Sequence, residues 1–175
     1  MSGAKQSLKH RWIFSFRYLS DQIPRASVRT TLTYRIHPRF TAGVEYNPRA
    51  DDVHPLANWL VLTETKNRPA LMFGTSTDRI GTPGGQAYYA LFSKNLRRET
   101  KLPIAPYVGT AYGTYEDRWR PVGGLNIGFT EHLTATVSFD GVHVHELLNY
   151  SWKRHIVSFV LVRGKNPGFS YSITF

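Results

Sequence analysis

The chain contains no cysteine. A disulfide framework, a cysteine zinc site and a thiol nucleophile are therefore excluded, and the redox compartment stays open. Long hydrophobic runs are also missing: no window approaches the roughly 18 consecutive apolar residues that a membrane-spanning helix requires, which excludes a helical membrane protein. Residues 1–10 carry Lys5 and Lys9 but no apolar core segment, so a cleavable secretory signal is not expected there. Acidic residues are scarce, 12 against 22 basic ones in 175 residues, giving a formal charge of +10. Such an excess points to nucleic acid, an anionic membrane surface or an acidic ligand, depending on where it lies.

What is present is alternation. Trp12, Phe14, Phe16 and Tyr18 share one face of a strand while Arg11, Ser15 and Arg17 share the other. Val28, Thr30, Leu32, Tyr34 and Ile36 alternate in the same way with Arg29, Thr31, Thr33 and Arg35, and the pattern returns at Leu133, Ala135, Val137 and Phe139. Period two with one apolar face is the signature of β-strands. Turn-forming clusters recur every 8 to 15 residues, among them Ile23, Pro24 and Arg25, then Thr82 to Gly85, then Asn166 to Gly168. This predicts about twelve strands, with ten as the alternative: 11–20, 27–36, 40–46, 58–65, 70–77, 86–94, 104–114, 122–129, 133–139, 144–152, 156–162 and 168–175. No amphipathic helix is expected. The domain reading is a tail over 1–10 and one barrel over 11–175, with connections too short for a folded plug.

The apolar face points inward in a soluble barrel and outward in a membrane barrel. Glycines, small hydroxyl residues and mid-strand arginines on the other face suit a crowded or watery lumen. A soluble outer surface would be richer in Lys and Glu. If odd strands run away from the termini, Trp12 and Trp152 are expected at one end and Trp59 and Trp119 at the other, as two interfacial girdles.

The last eight residues end the chain on Phe175, with Phe169, Tyr171 and Ile173 at alternate positions before it. This resembles the C-terminal targeting strand of bacterial outer-membrane β-barrels. The stretches Gly109–Gly113 and Gly124–Val137 similarly resemble a strand pair and short periplasmic turn of such proteins. The resemblance implies an antiparallel up-and-down transmembrane barrel in a bacterial outer membrane, with an organellar outer membrane as the lesser alternative. It implies outer-membrane lipids and the barrel-assembly machinery as partners, and no cofactor, metal or nucleic acid.

Arg11, Arg17, Arg29 and Arg35 all fall on the lumen face of the first two strands. Arg17 is expected opposite Arg29 and Arg11 opposite Arg35, compensated by Glu45, by Glu64 or by a passing anion. The function expected is a narrow passive channel preferring small anions. Two alternatives stand: a scaffolding barrel that docks a periplasmic or envelope partner, and a lipid-modifying enzyme built on His143 and His145. No catalytic set is complete in the sequence, because Glu146 points away from both histidines and no serine motif accompanies them. The basic excess is expected at the end bearing the termini, thirteen basic against three acidic residues, while the opposite loops balance at seven each.

Overall fold

Alternation is realised throughout the computed structural model, which describes residues 10–175. Twelve strands form: β1 (Trp12–Leu19), β2 (Val28–His37), β3 (Phe40–Asn47), β4 (Asp52–Leu62), β5 (Ala70–Thr77), β6 (Gln86–Ser93), β7 (Ile104–Gly113), β8 (Arg118–Gly128), β9 (Leu133–Phe139), β10 (Val144–Trp152), β11 (His155–Val162) and β12 (Asn166–Thr174). Each pairs antiparallel with its chain neighbours, and β12 pairs back onto β1, so the sheet closes with no free edge. The closure is sealed at the chain end, where Phe175 and Trp12 exchange both backbone hydrogen bonds. Most of the tail reading over 1–10 lies outside the described residues, as do Lys5 and Lys9. No helix among the described residues is long and apolar enough to cross a membrane.

The usual placement of apolar residues is inverted. Among the described residues, twenty-seven large apolar side chains are exposed, including Val108, Trp119 and Val53 at over 60%, whereas six apolar residues are buried. The bulk of the exposed set occupies the outward positions of the strands, as Trp59 beside Phe73 and Leu148 beside Phe159 illustrate. Inward positions carry Ser, Thr, Asn, Gly and Arg, for example Ser15, Thr31 and Ser172 on adjacent strands. The small apolar core of Leu19, Val160 and Val162, with Ile80 and Leu147 against it, sits near the end remote from the termini, here termed the loop end.

Two expectations change. β4 begins at Asp52 rather than residue 58, and β8 at Arg118 rather than 122. Each extension contains a proline tolerated because one neighbour is missing: β5 pairs with β4 only from Ala57 onward, and β9 with β8 only from Gly123. The earlier start of β4 reverses the height of Trp59, which pairs with Phe40 beside the β2–β3 turn. Trp59 therefore joins Trp12 and Trp152 at the end bearing the termini, and Trp119 alone of the four lies at the loop end. The expectation of no amphipathic helix holds among the described residues, whose helices are the single turns α1 (Pro24–Ser27) and α2 (Arg97–Thr100).

Candidate functional site

The lumen near the loop end gathers most of the buried polar side chains: Arg25, Ser27, Glu45, Asn47, Asp78, Thr82, His145 and Ser158. Strand register sets the first layer. Arg17 pairs with Arg29 on one side and Ser170 on the other, and Ser170 pairs with Ser158, so two guanidinium groups and two hydroxyls line up across four adjacent strands. Among the described residues, the one carboxylate touching the arginine pair is Glu45, 1% exposed, whose Oε2 lies 2.5 Å from Arg29 Nη2. Its Oε1 accepts hydrogen bonds from Thr77 Oγ1 at 2.6 Å and Asn47 Nδ2 at 3.3 Å. The Nε groups of both Arg17 and Arg29 are sheltered with no hydrogen-bond partner among the described residues. Two facing guanidinium groups against one carboxylate leave a local positive excess inside a low-dielectric wall.

The second layer is α1. Pro24 supplies a pre-set first helical residue, and the amides of Ala26 and Ser27 donate to the Ile23 carbonyl. This single turn aims Arg25 across the mouth into the loop between β5 and β6. There the guanidinium makes four hydrogen bonds: Nε to the Thr82 carbonyl at 2.7 Å, and Nη2 to the carbonyls of Arg79 at 2.7 Å and Asp78 at 3.1 Å and to Thr82 Oγ1 at 2.9 Å. Burial presses this guanidinium below its ordinary pKa, opposed by Glu45 and Asp78. The connections are as short as expected, with no folded plug among the described residues; one helical turn, latched by one arginine, reaches over part of this mouth.

The third layer is a clamp between loops. Glu116 receives Arg79 Nη2 at 2.5 Å and Arg120 Nη2 at 2.7 Å. Asp78 accepts from the amides of Arg79 and Tyr115. Across the mouth, Asp140 Oδ2 lies 3.0 Å from His145 Nε2, and its Oδ1 accepts the amides of Val142 and His143. Burial works against the Asp140 charge, but those hydrogen bonds hold the carboxyl below its ordinary pKa. His145 Nδ1 accepts the Arg163 amide at 3.4 Å, so both ring nitrogens are occupied and neither faces a hydroxyl. His143 is kept below its ordinary pKa by burial and by Arg163.

Of the residues singled out from the sequence, Arg17, Arg29 and Glu45 come together. Arg11 and Arg35 sit opposite each other as expected but at the far end, with Arg11 Nη1 reaching Tyr34 Oη at 3.3 Å. Phe169 and Tyr171 point outward on β12, Phe169 within 5.9 Å of both the Phe16 and Tyr18 rings. Glu146 faces outward between Val137 and Leu161. The sequence reading missed Arg25, Thr82 and Asp78; its only signal was the proline before Arg25, taken there as a plain turn.

Fold and lumen together define a closed twelve-stranded antiparallel barrel with an arginine pair on its inner wall and one helical turn latched at its loop end. No protein-family model matches the chain, and no curated protein matches it.

Proposed function

We propose that this barrel spans a bacterial outer membrane and acts as a narrow channel for small anions, held shut at its loop end by α1. The membrane setting is supported by the inverted apolar distribution: an exposed belt of this size matches the lipid-facing band of membrane barrels and exceeds what soluble monomers expose. Strands of 7 to 11 residues, tilted by about 45°, also match that band. The anion preference rests on one observation, the Arg17 and Arg29 pair facing the lumen with Glu45 as its sole acidic contact. Below it the wall is half-buried Ser, Thr and Asn, suited to a hydrated path.

Planar-bilayer conductance tests the reading. Wild type is expected to conduct weakly with anion preference, Arg25→Ala to conduct several-fold more, and Arg17→Gln with Arg29→Gln to lose the preference. Silence from both wild type and Arg25→Ala would remove the channel. The Arg25 latch at the loop end favours a second reading, a scaffolding barrel whose basic rim docks an acidic envelope partner. A lipid-modifying enzyme has least support, since both ring nitrogens of His145 are occupied and, among the described residues, no serine hydroxyl bonds the ring of His143 or His145.

A further inference from the structure

The arc of wall facing Arg17 across the barrel is built differently from the rest. Between β5 and β9 the lumen holds a cavity of about 290 Å³. Its sides are Met72, Leu91, Ala111 and Val122, and two tyrosine rings complete it, Tyr89 and Tyr107. Membrane-barrel interiors are ordinarily polar, so an apolar patch on an inner wall has to be constructed. Here the construction is visible. Tyr89 is paired across the sheet with Gly74 and Tyr107 with Gly124, and a Cβ on either glycine would run into the tyrosine ring. The glycines thus let both rings lie flat along the wall, the arrangement in which an aromatic covers a cross-strand glycine. The Tyr89 hydroxyl is consumed by Asn58 Oδ1 at 2.7 Å, and the Tyr107 hydroxyl bonds Ser138. What remains toward the cavity is ring surface.

The rim toward the loop end is charged and unevenly satisfied. Three carboxylates line it and all are engaged: Glu116 by Arg79 and Arg120, Asp78 by the amides of Arg79 and Tyr115, and Asp140 by His145 and the amides of Val142 and His143. Arg118 lines the cavity, is exposed, and its side chain forms no hydrogen bond or ion pair among the described residues. An apolar chamber beneath one unengaged guanidinium has the polarity of a small amphipathic anion.

We propose that this cavity is a binding site for a medium-chain carboxylate, its chain against Met72, Leu91 and the two rings and its carboxylate on Arg118. The volume sits at the low end of the ~300–1,000 Å³ range of ligand sites, which sets the scale at a chain of roughly ten carbons. The guanidinium fork suits a carboxylate held by two parallel hydrogen bonds. The site lies on the wall opposite the arginine pair and stands whether or not the barrel conducts.

The test is calorimetric titration of decanoate, decanol and acetate into the full chain in lipid nanodiscs, with empty nanodiscs subtracted. Decanoate is expected to bind at least tenfold more tightly than either decanol or acetate. Arg118→Gln should remove the preference over decanol, leaving decanol itself unchanged. Ala111→Trp fills the chamber and should abolish binding; Met72→Gln, a milder change, should weaken decanoate about tenfold, with fold checked by heat-dependent gel migration. Equal affinity for decanoate and decanol in wild type overturns the carboxylate assignment. Undiminished binding in folded Met72→Gln or Ala111→Trp overturns the cavity.

Discussion

Glu116 stands between two guanidinium groups and ties three charged side chains from two loops and a strand end into one clamp. Hydrogen bonds from Arg79, then from Arg120, stabilise its ionised form and lower its pKa from the ordinary 4.5 to about 2. A folded-state value below the unfolded one means the clamp stabilises the loop end fully above about pH 4.5. That contribution is lost as pH falls from 4.5 through about 2. Carbon-13 titration of the Glu116 carboxyl should give a midpoint near 2, and Arg79→Gln should raise it towards 4.5. A wild-type midpoint already at 4.5 would mean the clamp is absent. The same contrast governs the arginine pair: Glu45 is shielded and multiply bonded, whereas Glu116 is open to water and depends on geometry more than on burial. Local sequence could not reveal this, since the partners of Glu45 and of Glu116 include arginines on other strands and loops.

At the scale of elements, β5 shows how small residues shape the wall. Gly74 has no room for a side chain because the Tyr89 ring occupies the space. Gly74→Val should cost about 1–3 kcal/mol through overpacking and should break the Tyr89 to Asn58 hydrogen bond. Gly84, in the following loop, has nothing within 4 Å of where its Cβ would lie, so Gly84→Ala should change stability by less than about 0.5 kcal/mol. Urea unfolding in lipid vesicles compares the two, and an equal cost would refute the packing argument. The strands themselves were legible, and β5, β9 and β10 match their predicted bounds: β9 alternates to its last residue, and β5 lies between the turn-forming Pro69 and the Asp78 to Gly85 loop. The starts of β4 and β8 were not, because Asp52, Pro55 and Pro121 are turn-forming residues whose strand conformation depends on a neighbour ending early. Misplacing that start by six residues carried Trp59 to the wrong end. α1 was equally hidden: its stability comes from Arg25 contacting carbonyls more than fifty residues away, which no local pattern announces.

On the scale of the whole molecule, two asymmetries meet: a belt of apolar side chains around the barrel and an uneven charge along it. Among the described residues, the end bearing the termini holds eleven basic against three acidic residues, and the loop end seven of each. Strand direction explains this, since every turn between an even strand and the next odd one falls at the same end, bringing Arg39, Arg68, Arg97 and Arg154 to one rim. Basic residues near an anionic lipid surface contribute about 1 kcal/mol each, and that attraction fades within a Debye length, about 3 Å in 1 M salt. Insertion of urea-unfolded chain should therefore proceed several-fold faster into vesicles containing anionic phospholipid than into zwitterionic ones at low salt. In 1 M salt the two rates should converge, while the final folded yield, set by the apolar belt, should not change. A folded barrel that stays in the aqueous phase without lipid or detergent would contradict the membrane setting itself. A lipid-charge dependence that survives 1 M salt would instead contradict only the role given to the basic rim.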